Sequence, residues 1–274
     1  MSAPISTRGK IGRWFLNVYA GLALLYLFAP IFIIVLFSFN KPKGKFNLVW
    51  KKFTLENWAH PFGKQQALTN ALGQSLKVAI IATIISTILG SAIAIALSRY
   101  QFRGGKVVDL FLVLPLTAPE IVMGASLATL FYDRGAVFGF WTVVIAHVAF
   151  QVSFVALTVR ARIRGFDWTL EQAAMDLGAT PSETFRKITF PLILPGIMAA
   201  ALLAFALSID DFIVTFFNAG SLITFPIQIY GASRVELPPQ IDVLATMILL
   251  VSIALMALGT LFGIRRQKRL GMQG

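Results

Sequence analysis

Long apolar stretches alternate with short polar ones along the chain. Five stretches lack Asp, Glu, Lys and Arg, and each exceeds the ~20 residues with which a helix crosses a bilayer core: Trp14–Phe39, Val78–Ser98, Gly135–Val159, Ile188–Ile209 and Val243–Ile264. A sixth, Val107–Tyr132, contains only two charged residues, Asp109 and Glu120. Because lipid cannot hydrogen-bond to an open backbone, these stretches are expected to be helical.

The pattern therefore predicts an all-α integral membrane protein with six transmembrane helices in a single domain. The predicted spans are approximately residues 14–39, 76–98, 107–132, 137–160, 192–217 and 243–264. Residues 212–230 are apolar but interrupted at Asn218–Ser221, so a short re-entrant or interfacial piece is expected there rather than a seventh span.

Composition and charge agree with this fold class. The 274 residues are 57% hydrophobic and 13% charged, whereas a soluble domain has about 25% charged residues. The net charge of +12 would suit a nucleic-acid-binding protein, but most basic residues cluster at the two ends and after every second predicted span. This positive-inside distribution predicts that both termini are cytoplasmic. We expect contact with membrane lipid and none with nucleic acid.

Two further features of the composition narrow the chemistry. There is no cysteine, which excludes disulfides and thiol chemistry. The first outer loop departs from the charge pattern because it is basic, and nothing in the sequence explains its lysines: Lys41, Lys43, Lys45, Lys51, Lys52 and Lys64.

The polar segment between predicted spans four and five, approximately residues 161–191, is predicted to be cytoplasmic. Four residues in it are spaced i, i+3, i+4, i+7, which places them on one face of a short helix: Leu170, Ala173, Ala174 and Leu177. Thr169 and Gln172 fit a capping box at its start, and Gly178 is expected to end it.

A second short helix is expected directly afterwards. Thr180 is its predicted N-cap, Pro181 its first residue, and Glu183 completes a second capping box. Pro191 and Pro195 are expected to bend or restart the chain as it enters the fifth span. From the residues alone, the first helix lies on lipid headgroups or docks into a groove of a partner protein.

This segment resembles the EAA loop of permease subunits of binding-protein-dependent ABC importers. That pattern is Glu-Ala-Ala, three residues, Gly, nine residues, then Ile, any residue and Leu-Pro. Its spacing is matched here from Gln172 to Pro191, with Gln172 in place of Glu and Phe190 in place of Leu. In the family, this loop docks into an ATPase subunit. The resemblance implies coupling residues Leu170, Gln172, Ala173, Ala174, Leu177, Gly178, Ile188 and Pro191.

Four other stretches resemble the permeases of spermidine/putrescine importers: FTLENW at 53–58, PLTAPEIVMG at 115–124, SIDDFIVTFF at 208–217 and PPQIDVLATM at 238–247. The resemblance implies a permease subunit in the bacterial inner membrane that moves polyamines or a related small cationic solute. Its implied partners are an ATP-binding cassette ATPase dimer, a second homologous permease subunit and an external solute-binding protein.

The chain lacks the residues that would hold a nucleotide or a metal. No Gly-Lys pair is followed by Ser or Thr, as a phosphate-binding loop requires. We therefore expect no cofactor on this chain, no catalytic residues, and ATP and Mg on the partner ATPase. His60 and His147 are isolated in sequence, so no metal site is expected, and His147 is expected to be a hydrogen-bonded packing residue.

Three carboxylates lie within or next to apolar stretches: Glu120, Asp210 and Asp211. Charged groups at membrane depth usually face a cavity, so these residues are candidates for a cationic solute pathway, with Asp211 favoured. Structural roles are also open, since Glu120 could satisfy backbone freed by Pro115 and Pro119, and Asp210 could cap the segment that follows it.

Two alternative functions fit the sequence less well. A secondary transporter driven by an ion gradient would be expected to show internal repeats with matching broken helices, and no such halves are seen. An intramembrane aspartyl protease needs two facing aspartates, whereas neighbouring residues of a helix, as Asp210 and Asp211 would be, point about 100° apart.

Overall fold

The computed structural model describes residues 7–63, 65–100 and 103–269, and its regular elements are helices. The α-helices are α1 Thr7–Phe37, α2 Glu56–Ala59, α3 Gln66–Arg99, α4 Gly105–Thr117, α5 Glu120–Asp133, α6 Phe140–Ile163, α7 Thr169–Asp176, α8 Pro181–Thr184, α9 Phe190–Asp210, α10 Ile213–Asn218, α11 Phe225–Ala232 and α12 Pro239–Arg269. A π-helical segment, Phe185–Thr189, joins α8 to α9. Lys64 of the basic loop lies outside the described residues.

Four helical runs are long and apolar enough to cross a membrane: Trp14–Phe37, Gln66–Arg99, Phe140–Ile163 and Pro181–Asp210. The bent pair of α4 and α5 is also long and apolar enough when the two helices are counted together as one broken span. Pro239–Ala254 forms a shorter apolar helix. The predicted all-α membrane class is therefore confirmed. The number of six spans and the side on which the termini lie stay predictions.

The predicted third span, 107–132, is not one straight helix. α4 ends at Thr117, α5 begins at Glu120, and the two are bent by 112°. The break falls at Ala118 and Pro119, whose backbones are extended with ψ of 136° and 131°. Of the two prolines that could break this span, Pro115 remains inside α4, so Pro119 marks the end of the continuous helix.

The predicted fifth span, 192–217, is likewise not one continuous helix. The helix stops at Asp210, because the backbone of Asp211 is extended with φ of −63° and ψ of 122°. The following residues form the short helices α10 and α11, in agreement with the short, interrupted piece expected over 212–230.

The chain divides into two compact units, Met1–Gln66 with Ala232–Val251, and Ala67–Gly231 with Ser252–Gly274. In the first unit, buried amides hold the loop after α1. Asn40 Nδ2 donates to Asn47 Oδ1 at 2.7 Å, and Asn47 Nδ2 donates to Asp242 Oδ2 at 2.7 Å. The loop's described lysines are exposed, and Lys41 pairs with Glu56 at 2.9 Å.

In the second unit, α6 is the central helix, and it packs against α9, α4 and α10. Its buried residues join Ile193 and three alanines of α3 and α9 in one apolar cluster: Ala94, Val155, Val159, Ile163, Ile193, Ala200 and Ala204. Small side chains let neighbouring helices approach closely, as is usual between membrane helices.

The helices α3 and α6 are in close contact at Gly90. A Cβ atom at this position would lie 2.7 Å from Val155 Cβ and 2.9 Å from the Val152 carbonyl oxygen. Gly90→Ala is therefore expected to lower the stability of the protein in detergent by about 1–3 kcal/mol, the range of overpacking. A thermal-unfolding series checks this, with Gly73→Ala in the same helix as control because Gly73 has open space around it. Equal stability of the two variants would contradict the close contact.

Candidate functional site

The short helix α7 ends as the sequence predicted. Gly178 has a φ of +87°, the left-handed conformation that favours glycine. Its N–H donates to Met175 O at 2.9 Å, and the Ala179 N–H donates to Ala174 O at 3.0 Å. This pair of hydrogen bonds is a Schellman motif, which satisfies the last carbonyls of the helix.

The start of α7 differs from the prediction. The expected capping box of Thr169 and Gln172 does not form. Instead Asp167 Oδ1 accepts hydrogen bonds from the Thr169 hydroxyl at 2.8 Å and from its backbone N–H at 3.0 Å. These bonds favour the ionised carboxylate and lower the pKa of Asp167. Gln172 itself is exposed.

The second half of the segment follows the predicted pattern. Thr180 Oγ1 accepts from the Glu183 N–H at 3.3 Å, and Glu183 Oε2 accepts from the Thr180 N–H at 3.1 Å. Pro181 is the first residue of α8. The π-helical segment then leads into α9, with Ile188 and Pro191 half-buried and Pro195 inside the helix.

The apolar face of α7 points outward. Leu170 and Leu177 are 45% and 90% exposed, Ala173 is exposed and Ala174 is half-buried. A surface helix normally buries its leucines against the protein. In this helix the leucine side chains are instead exposed on the surface of the protein.

The residue that α7 buries is the carboxylate Glu171, which is 4% exposed. Its Oε2 accepts a hydrogen bond from Arg99 Nη2 at the end of α3, and its Oε1 accepts one from Thr189 Oγ1 in the π-helical segment. The Arg99 guanidinium also lies over the Trp168 ring, 5.9 Å from its centroid. The orientation of α7 is therefore fixed by polar contacts on its inner side.

A second candidate site is a cavity of about 470 Å³ at the break between α4 and α5. The three predicted carboxylates, Glu120, Asp210 and Asp211, all line it. Its other lining residues include the aromatic side chains Phe150, Phe154 and Phe212. Carboxylates with aromatic faces suit an organic cation, since both attract positive charge.

The three carboxylates have different surroundings. Glu120 and Asp210 are exposed. Asp211 is largely covered, and its Oδ2 accepts from the Thr215 N–H and hydroxyl, both at 2.7 Å. Asp211, rather than Asp210, therefore caps α10.

His147 completes the contacts around Asp211, and it is buried and hydrogen-bonded as expected. Its Nδ1 lies 2.7 Å from Ser208 Oγ, and its Nε2 lies 2.8 Å from Thr215 Oγ1 and 3.3 Å from Asp211 Oδ2. Because the Thr215 hydroxyl already donates its hydrogen to Asp211, Nε2 must be the protonated nitrogen in its contact with Thr215. The histidine ring thus joins α6 to α9 and α10.

The profile of the family described as "Binding-protein-dependent transport system inner membrane component" matches residues 86–268, which include both candidate sites. The chain belongs to this family. Two permeases similar to this inner membrane component match it over nearly their whole length. The spermidine/putrescine transport system permease protein PotC of Haemophilus influenzae is 38% identical over 92% of this chain and 97% of its own length. PotC of Escherichia coli is 36% identical over 96% of this chain and 98% of its own.

Solved structures agree on the fold of this inner membrane component. The chain matches a bacterial ABC transporter for the import of alginate with a TM-score of 0.63 at 15% identity, covering 99% of this chain and all of that one. It matches an amino acid ABC transporter with a TM-score of 0.58 at 20% identity, covering 78% of this chain and all of that one. At these identities the likeness concerns the fold alone.

Sequence reasoning on this transport component missed Glu171, which lies next to the motif position Gln172. The signal was present, because Glu171 is a charged residue one position outside the apolar face, and Arg99 is a charged residue that directly follows a predicted span. Nothing in the sequence indicated that the two residues, 72 positions apart, are in contact.

Proposed function

We propose that this chain is the transmembrane permease subunit of an ATP-driven ABC importer that moves polyamines or a related small cationic solute. The observation that carries the proposal is the 36–38% identity, over more than nine-tenths of the chain, to permeases named for spermidine and putrescine. In this proposal the chain crosses the inner membrane six times, counting the bent pair α4–α5 as one span and α12 as the last. Both termini face the cytoplasm.

The ATPase dimer binds at α7 in this proposal. The exposed leucines of α7 form the contact, and the small side chains of Ala173 and Ala174 between them allow the groove of the partner to approach the backbone. ATP and Mg belong to the ATPase, because this chain lacks the sequence of a phosphate-binding loop. A second permease subunit and an external solute-binding protein complete the transporter.

The cavity at the α4–α5 break is the proposed pathway site. Glu120 and Asp210 meet the cationic solute, since both carboxylates are exposed and line the cavity. Asp211 lines the same cavity but is already bonded to Thr215 and lies beside His147. Its main contribution is therefore to hold α10 in place beside the solute.

Docking of the ATPase through the small face of α7 is tested with two neighbouring substitutions. Ala173→Leu is expected to abolish co-purification of the ATPase, because a larger side chain separates the two backbones. Gln172→Glu is expected to change little, since an exposed ion pair contributes only about 0–1 kcal/mol. Retention of the ATPase by Ala173→Leu together with a strong change in Gln172→Glu would make the docking electrostatic and contradict the proposed contact.

A further inference from the structure

Glu171 connects three elements of the second unit through one side chain. It lies on α7, its Oε2 is bonded to Arg99 at the end of α3, and its Oε1 is bonded to Thr189 at the end of the π-helical segment. The side chain of Glu171 is 6% exposed and that of Arg99 is 26% exposed. Both carboxylate oxygens thus have a protein partner, and neither contact is a fully solvated surface pair.

Stability alone does not explain such a pair. Removing two charges from water costs free energy that their attraction often fails to offset, and apolar replacements are frequently as stable. What a buried pair does supply is a fixed arrangement, because displacing one partner would leave the other charge buried without its counter-charge. Arg99 is held further by the Trp168 ring beside the start of α7. A shift of α7 would therefore act on the end of α3.

The contact with Thr189 extends this connection to α9. Thr189 is the last residue of the π-helical segment and directly precedes Phe190, where α9 begins. π-Helical turns are rare and occur frequently at functional sites. A shift of Glu171 therefore acts on the entry of α9 directly, in addition to acting through the covalent chain of α8.

We infer that Glu171 is a positioning residue that transmits displacement of α7 to the end of α3 and the start of α9. This inference rests on the proposed function, since it takes the ATPase to be what displaces α7. It assigns different tasks to the two sides of α7. The leucines and alanines of the outer face bind the ATPase, while the buried carboxylate passes the movement to the membrane helices.

The test uses the reconstituted complex of this chain with its ATPase, second permease and binding protein. Glu171→Gln keeps the size of the side chain and removes its charge. We expect the ATPase to co-purify normally and to hydrolyse ATP at its basal rate. Stimulation of hydrolysis by loaded binding protein, and solute uptake per ATP, should each fall roughly ten-fold, within the range of typical coupling between sites.

Two further variants separate transmission from folding. The charge-exchanged double variant, Glu171→Arg with Arg99→Glu, is expected to recover part of the stimulation. Thr189→Val keeps the ion pair and removes only the hydrogen bond to Glu171, so it is expected to lose part of the stimulated hydrolysis. This variant tests the inference even if Glu171→Gln fails to reach the membrane. The matched control is Asp109→Asn. It removes a different ion pair of this unit, which Asp109 of α4 forms with Arg160 of α6. This control should leave stimulation unchanged.

Full stimulation in Glu171→Gln, or an equal loss in Asp109→Asn, would overturn the inference. Loss of the ATPase from the Glu171→Gln complex would also overturn it, because the residue would then belong to the docking contact. Failure of the proposed function gives a different result, namely a wild-type chain that neither co-purifies with an ATPase nor supports stimulated hydrolysis.

Discussion

Asp210→Asn is expected to lower uptake of a polyamine at limiting solute by about ten-fold or more, with normal amounts of assembled complex. Asparagine keeps the shape of the side chain and removes its charge. A hydrogen bond to a charged group contributes about 1.5–3 kcal/mol, and each 1.4 kcal/mol is a factor of ten in affinity. The exposed position of Asp210 in the cavity makes the solute its expected partner.

The neighbouring variant Asp211→Asn serves as the comparison. Asp211 accepts two bonds from Thr215, so its substitution is expected to reduce thermal stability as well as transport. Glu120→Gln should resemble Asp210→Asn, and the two should be non-additive if both carboxylates contact one cation. Unchanged uptake by Asp210→Asn at limiting solute would remove Asp210 from the pathway.

Gly178→Val is expected to leave the protein in the membrane but to uncouple it from its ATPase. A Cβ at Gly178 would meet nothing within 4 Å, so the effect comes from the backbone and not from a clash. Holding a residue other than glycine at a φ of +87° costs on the order of 1–3 kcal/mol, and a β-branched residue is the least suited. For a helix as short as α7, loss of its Schellman motif should tilt the docking face.

Two substitutions test whether φ is the cause. Gly178→Asn should retain most of the coupling, because asparagine tolerates the left-handed conformation. Gly165→Ala in the same segment should be silent, since its φ lies outside the left-handed region and its Cβ would meet the Arg162 carbonyl oxygen at an ordinary 3.8 Å. Co-purification of the ATPase and solute-stimulated hydrolysis are the measurements. Normal values for Gly178→Val would show that the turn does not set the docking face.

The long membrane helices could be predicted because the length of an uncharged apolar stretch is enough to indicate them. Trp14–Phe39 and Gly135–Val159 contain no charged residue, and helices α1 and α6 occupy most of them. Local turn chemistry was predictable where two nearby residues decide it, as at Thr180 with Glu183 and at Gly178. These features depend on residues within four positions of each other, and the sequence displays them directly.

The sequence left the outcome open where several residues compete for one role. Thr169 could form hydrogen bonds with Gln172 or with Asp167, and the sequence does not show which of the two it prefers. Asp210 and Asp211 are adjacent and chemically identical, so their roles are decided by the helix end and by the buried His147 beside Asp211. The pairing of Glu171 with Arg99 likewise depends on the packing of α7 against a distant part of the chain.

The basic loop after α1 is another feature whose structure could not be predicted from the sequence. Its lysines remain without a functional explanation, although the structure accounts for the loop's order. Asn40 and Asn47 are buried and bond to each other and to neighbouring backbone carbonyls. Neither asparagine stands out in sequence, because amides are common in exposed loops and their burial becomes visible only in three dimensions.

The central claim is that this chain moves a cationic solute by using ATP hydrolysed on a partner. The most direct measurement is uptake of labelled spermidine into proteoliposomes that contain the complete complex, with binding protein outside and ATP inside. Uptake is predicted to require both ATP and the ATPase, and to persist when ionophores collapse the proton and sodium gradients. Uptake that continues without the ATPase and stops when the gradients are collapsed would contradict the account and identify a secondary transporter.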